Sequence, residues 1–274
     1  MRSLVRTSRA FPPVGALRVA FQPIFEVRAQ TRRLHGLEAL VRGPRGTPFE
    51  SATRLFEHVR RTAQEGPIDR ACVAAIFGAV GAVSGQPDVS VNVHASTLGC
   101  DPDIVFFLEE LSARHAVSLS RLTLEIVEHA SPCDARLLAR NLDRLRDRGA
   151  RIALDDFGVG HSNHRMLLDC RPDVLKIDRY LVGGCHADPL RQAVVESVAH
   201  LAPRLGARVV AEGVETEDDL RTVAALGIEL VQGFLLSRPF YPRADGAGWP
   251  ALSPAGHPAP DPIRGWPPPV TVLP

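Results

Sequence analysis

The sequence predicts an α/β chain closed into a TIM-like (β/α)8 barrel with an antiparallel first strand. Three observations carry that reading. Short apolar runs alternate with longer amphipathic ones along most of the 274 residues, the pattern of a parallel sheet covered by helices. About eight such runs are present, enough to close a barrel. Polar residues fall at the carboxyl ends of those runs, where barrels collect their chemistry.

Taken in order, residues 1–16 carry Arg2, Arg6 and Arg9 but no apolar core ahead of a small-residue cleavage site. They read as a disordered lead-in and not as a secretion signal. Candidate strands then lie near Leu17–Phe25 and Leu34–Val41. The about ten residues between them are too few for a helical crossover, so an antiparallel start is expected. Further strands lie near Val89–Val93, Leu122–Val127, Ile152–Asp156, Val174–Ile177, Val209–Glu212 and Leu230–Gln232.

Helical patterns fall between them. Ala71 to Val83 is apolar at nearly every helical position, and Ala135 to Arg148 sets Leu137, Leu138, Leu142 and Leu145 among arginines. Ala193 to Leu205 and Asp218 to Leu226 read similarly. Ser131-Pro132 starts one helix, which Gly149 stops. Thr216 opens another, with acids at the positive end of its dipole, and Gly227 closes it. The barrel is thus expected over residues 17–241. Residues 242–274, rich in proline, glycine and alanine, read as a disordered tail with Trp249 or Trp266 as local anchors. No second domain or internal repeat is evident.

Composition excludes several classes. A net charge of +1 and a pI near 7.8 imply neither a nucleic-acid stripe nor a membrane-steering field. No run approaches the ~18–20 apolar residues of a membrane helix. Cys72, Cys100, Cys133, Cys170 and Cys185 are scattered without a CxxC spacing, so reduced thiols and a cytoplasmic setting are expected. Lys176 is the only lysine. In a chain so inclined to arginine, it marks a place where a compact ammonium is needed.

The strand ends carry the chemistry. Glu38 and Arg42 belong to the second run, Asn92 to the third, and Glu125 and Glu128 to the fourth. Asp155 and Asp156 end the fifth, Lys176 and Asp178 the sixth, Glu212 and Glu215 the seventh, and Gln232 the eighth. One such acid is explained by a rim salt bridge. Five carboxylates and an amide on one mouth would repel strongly unless cations neutralise them. Oxygen donors without histidine point to Mg²⁺ or Mn²⁺ and away from zinc. The adjacent pair Asp155 and Asp156 suits two ions, the usual clamp for in-line displacement at phosphorus. His94, His129, His161 and His164 are then left to surface or loop packing.

These residues also carry a resemblance. Glu38-Ala39-Leu40, with Phe21-Gln22-Pro23-Ile24, Asn92, Asp155-Asp156-Phe157-Gly158, Lys176-Ile177-Asp178, Glu212-Gly213-Val214-Glu215 and Gln232-Gly233-Phe234, is similar to the ordered motif set of EAL-domain phosphodiesterases. It covers about residues 17–240. The resemblance implies hydrolysis of cyclic di-GMP to linear pGpG with two Mg²⁺ or Mn²⁺ ions per site. Glu38, Asn92, Glu125 and Asp155 would hold the first ion, and Asp155, Asp156 and Glu212 the second. Lys176 would orient the attacking water or stabilise charge at phosphorus. Gln22, Leu40 and Arg42 would contact the dinucleotide, with Gln232 and Asp178 near its phosphate and ribose. Glu128 and Glu215 would brace the neighbouring loops.

The loop after the aspartate pair departs from the family pattern, with Val159 for threonine, His161 for an aromatic and Asn163 for serine. That bears on rate and on the homodimer the family leads one to expect. The rival reading is a domain that senses cyclic di-GMP or docks a partner without turnover. No sensory or GGDEF segment is recognised, so regulation is expected from oligomerisation, the tail, another protein or expression level.

Overall fold

Eight strands close on one another in chain order in a computed structural model that describes residues 16–28, 31–83, 85–127, 134–159, 163–242 and 249. β1 (Arg18–Arg28) pairs antiparallel with β2 (Thr31–Arg42) and with β8 (Leu230–Val231). All other neighbours are parallel: β3 (Val89–His94), β4 (Leu122–Val127), β5 (Arg151–Phe157), β6 (Val174–Ile177) and β7 (Arg208–Ala211). The short link between β1 and β2 forces the antiparallel start, since it leaves no length for a crossover. Both strands run further than expected, to Arg28 and from Thr31. Their outer ends are polar and exposed, so backbone pairing extends them where no hydrophobic alternation marks it.

The sheet sorts the residues by parity. Leu37, Val91, Leu124, Ile152, Leu175 and Val209 face outward into the main apolar core beneath the helices. The inward face holds only a small apolar layer of Ile24, Val210 and Leu230. Above it lie Glu38, Glu125, Lys176 and Gln232, all buried. Charged groups inside a barrel are costly unless paired, so this polar interior marks the functional end.

Nine α-helices are present among the described residues. α1 (Ala52–Thr62) and α2 (Glu65–Gly81) follow β2, and α3 (Ala95–Cys100) and α4 (Ile104–His115) follow β3. α5 (Ala135–Arg146), α6 (Asn163–Cys170), α7 (Arg179–Val182), α8 (Pro189–Arg204) and α9 (Glu217–Ala225) complete the ring. α5 is capped by Asp134, whose side chain accepts from the N–H groups of Arg136 and Leu137. That replaces Ser131-Pro132 as its start, and residues 131–133 lie outside those described. Thr216 caps α9 as expected by accepting from the N–H of Asp219. α4 buries Ile104, Val105, Leu108 and Leu111 at helical spacing, a pattern the strand-centred reading passed over. No described helix is long and apolar enough to cross a membrane. Among the described residues, Cys72 and Cys185 carry free thiols. The lead-in and most of the tail lie outside the described residues; Trp249, which is described, packs against the core.

Candidate active site

Lys176 stands at the centre of the polar interior. It is 1% exposed, and its Nζ lies 2.6 Å from Glu212 Oε1, 2.8 Å from Glu125 Oε2, 3.3 Å from Asp155 Oδ1 and 3.5 Å from Glu38 Oε2. These partners come from β2, β4, β5 and the end of β7, so closure of the barrel assembles the cluster. Two amides complete it. Asn92 Nδ2 donates to Glu38 Oε1 at 3.2 Å, and Gln232 Nε2 donates to Glu38 Oε2 at 2.7 Å.

β5 adds a second carboxylate by breaking its own regularity. Successive strand residues point to opposite faces, which would send Asp155 and Asp156 apart. Pairing with β6 slips between Leu154 and Phe157, and Asp156 takes a φ of 50°, a region that non-glycine residues seldom occupy. A bulge of this kind re-aims side chains. Asp155, Asp156 and Glu212 each offer an oxygen, all within 4.8 Å of one another. Glu38 and Glu125 join that trio through Lys176.

One ammonium cannot balance so many acids. Burial, reinforced by Glu38 and Asp155, pushes Glu125 up to about 8 against the opposing pull of Lys176. Burial and the same kind of repulsion raise Glu212 well above the carboxylate range. Burial, then Asp155 and Asp178, bring Asp156 to about 7. Burial alone would lower Lys176, but Asp155, Glu125, Glu212 and Glu38 outweigh it and keep the ammonium charged. Glu125 Oε1 is buried without a hydrogen-bond partner, and Asp155 Oδ1 has only the Lys176 ammonium, 3.3 Å away. Excess negative charge, an unpartnered carboxylate oxygen on Glu125 and an all-oxygen donor set fit a hard divalent cation.

A cavity of about 180 Å³ opens above the cluster, lined in part by Gln22, Glu38, Asp155, Lys176, Asp178 and Glu212. Gln22 reaches it from β1 and donates from Nε2 to the Ser237 carbonyl at 3.3 Å. Asp178 accepts from the N–H of Tyr180 and caps α7. Leu40 and Arg42 continue β2 beyond Glu38, half-buried on the same face, without lining the cavity. Glu215 is at the rim, with Oε1 3.7 Å from Arg179 Nη2. Glu128, His129 and His161 lie outside the described residues.

Two findings go beyond the sequence reading. Arg179, Gly213, Gly233 and Phe234 also line the cavity. Arg179 directly follows the strand-end Asp178, the one signal that pointed to it. His94 is buried rather than at the surface: its Nδ1 is 2.8 Å from Asp69 Oδ1, and its backbone N–H donates to Asp69 Oδ2. No local pattern pointed to Asp69, because the pairing joins β3 to α2 across 25 residues. His164 is exposed, with its ring against Phe157.

Known proteins carry the same architecture. A cyclic di-GMP phosphodiesterase of Pseudomonas aeruginosa is 31% identical over 247 residues, 88% of this chain and 41% of that protein. A probable cyclic di-GMP phosphodiesterase of Escherichia coli is 35% identical over 58% of this chain and 22% of its own length. The chain therefore spans less than half the length of these curated relatives. Among solved structures, a Klebsiella pneumoniae protein in complex with manganese and cyclic di-GMP superposes with a TM-score of 0.72 at 31% identity, over 82% of this chain and 56% of that one. A standalone EAL protein of Vibrio cholerae bound to cyclic di-GMP gives 0.71 at 26% identity, over 81% of this chain and 92% of that one. Residues 6–239 match the EAL domain, the whole barrel and every strand that contributes to the carboxylate cluster, and the chain belongs to the EAL domain family.

Proposed function

We propose that the chain is a divalent-cation-dependent phosphodiesterase that opens one phosphodiester bond of cyclic di-GMP to give linear pGpG. The observation that carries this reading is the buried Lys176 ringed by Glu38, Glu125, Asp155 and Glu212 within 3.5 Å. A mere scaffold would not place that much unbalanced charge inside its barrel. The cyclic di-GMP bound in the Klebsiella and Vibrio structures supports the substrate.

Glu38, Asn92, Glu125 and Asp155 would hold one Mg²⁺ or Mn²⁺ ion, and Asp155, Asp156 and Glu212 a second. When bound, the ions supply neutralisation of the phosphoryl oxygens and a more acidic attacking water. Lys176 places a fixed positive charge beside phosphorus, where negative charge grows in the transition state. Asn92 and Gln232 hold Glu38 in orientation through amides that cannot ionise. Asp178 and Gln22 border the cavity and orient the dinucleotide. Water attacks phosphorus, the bond from phosphorus to the 3′ oxygen breaks, and the departing oxygen takes up a proton. The phosphate then remains on the 5′ side.

Purified protein is mixed with cyclic di-GMP and Mn²⁺ or Mg²⁺, and the products are separated. Linear pGpG that disappears on chelation supports the enzyme. Saturable binding without product would instead identify a sensor. Well-folded protein that neither binds nor cleaves would remove both readings.

A further inference from the structure

Beside Gln22, at the edge of β1 beyond its two register pairs with β8, the chain returns and is stitched to β1. Phe240 and Phe21 exchange two backbone hydrogen bonds, of 2.7 and 2.9 Å. Arg18 Nη1 donates to the Tyr241 hydroxyl at 3.1 Å, and Gln22 donates to the Ser237 carbonyl. Residues 237–241 thus form a strap along β1. Phe21 and Gln22 are adjacent, so their side chains leave opposite faces of the strand. Gln22 enters the cavity, and Phe21 points out to Trp249.

Trp249 closes that outer face. Its ring stands edge-on to Phe21 at 5.0 Å and 84°, and to Phe240 at 6.4 Å and 77°. Its indole nitrogen is buried without a hydrogen-bond partner. An indole N–H left unpaired opposes burial, so the ring sits there by virtue of its aromatic contacts. Trp249 also lies beyond residue 239, where the family match ends.

We propose that Trp249 is a positioning residue for substrate: by clamping Phe21 and Phe240 together it locks the strap to β1 and holds Gln22 in the cavity. This inference rests on the proposed binding of cyclic di-GMP. An edge-on aromatic contact of this type translates into about a 3- to 10-fold effect on binding. Steady-state hydrolysis of cyclic di-GMP is measured with the full chain, with Trp249→Ala and with Trp249→Phe. The expected result is a KM raised about 3- to 10-fold in Trp249→Ala with kcat held within about two-fold, and recovery in Trp249→Phe, which keeps an aromatic ring.

Simple loss of folded protein would lower kcat and leave KM in place, and that result overturns the proposal. So does an unchanged KM with unchanged kcat. If Trp249→Ala does not fold, Trp249→Leu, which keeps apolar bulk without the ring edge, carries the same comparison. If the unsubstituted chain binds cyclic di-GMP without cleaving it, the dissociation constant replaces KM, and the two ideas are judged separately. If the unsubstituted chain neither binds nor cleaves, both fall.

Discussion

Lys176 and its ring of acids set the terms at the scale of single residues. Removing the ammonium leaves buried carboxylates with no counter-charge, which costs about 3–5 kcal/mol when a buried pair loses one partner. Lys176→Met is expected to lower the Tm of the ion-free protein clearly and to recover most of that loss in Mn²⁺, which supplies the missing charge. Thermal scans with and without the ion decide it; equal losses in both conditions would show that Lys176 serves packing alone. The same charges fix a pH dependence. Glu125 near 8 and Asp156 near 7 hold protons in the folded, ion-free chain that the unfolded chain has lost by about pH 5. The folded state therefore binds more protons than the unfolded one, and stability falls as pH rises through this window. Cations displace those protons and favour the ionised form. The gap in Tm between Mn²⁺-saturated and ion-free protein should widen from about pH 6 to about pH 8.5. A constant gap would separate these carboxyls from ion binding. The types of these residues were legible in the sequence. Their protonation was not, because it follows from burial and from distances that no spacing encodes.

At the scale of elements, the site depends on two breaks in regular structure. One is the β5 bulge, which brings Asp155 and Asp156 to one mouth although strand alternation separates them. The other is Gly233, just beyond β8. A Cβ there would stand 2.0 Å from the Val214 carbonyl oxygen and 2.4 Å from its nitrogen. This crossing is also hydrogen-bonded, from Val214 N–H to the Gln232 carbonyl at 3.1 Å. Gly233→Ala must push backbone against backbone, which overpacked sites answer with about 1–3 kcal/mol or more. Urea unfolding should show that loss, together with reduced turnover, because Gln232 and the loop after β7 shift together; unchanged stability would mean that the crossing is looser than it stands. The strands themselves were readable from apolar runs. α1, α3, α4, α6 and α7 were not, since they are short or sit between stronger signals, and tertiary packing selects them. α5 likewise takes Asp134 as its cap over Ser131-Pro132, because the carboxylate satisfies two N–H groups at once.

The whole molecule closes at the seam between β1 and β8, the shortest strand, which keeps two register pairs on each side. β1 and β8 share only the register pairs Phe25 with Val231 and Glu26 with Leu230. Arg208 reinforces the seam from β7, with Nη2 2.7 Å from Glu26 Oε1. Phe25 is 2% exposed at this junction, and Phe25→Ala is expected to cost about 3–5 kcal/mol. Because one closed sheet holds all eight strands, denaturant should unfold the variant in a single transition at a lower midpoint with an unchanged slope. Two separate transitions would show that the β1–β2 hairpin folds apart from the rest. By itself the sequence determined the barrel, its antiparallel start, and which acids and amides stand at strand ends, because side-chain parity and apolar runs are local properties of the chain. Only the tertiary structure decided that Lys176 is enclosed by four carboxylates, that Asp69 holds His94, and that Trp249 packs edge-on against Phe21 and Phe240. Those pairings join residues far apart in sequence, and burial, which sets their energies, exists only once the barrel has closed.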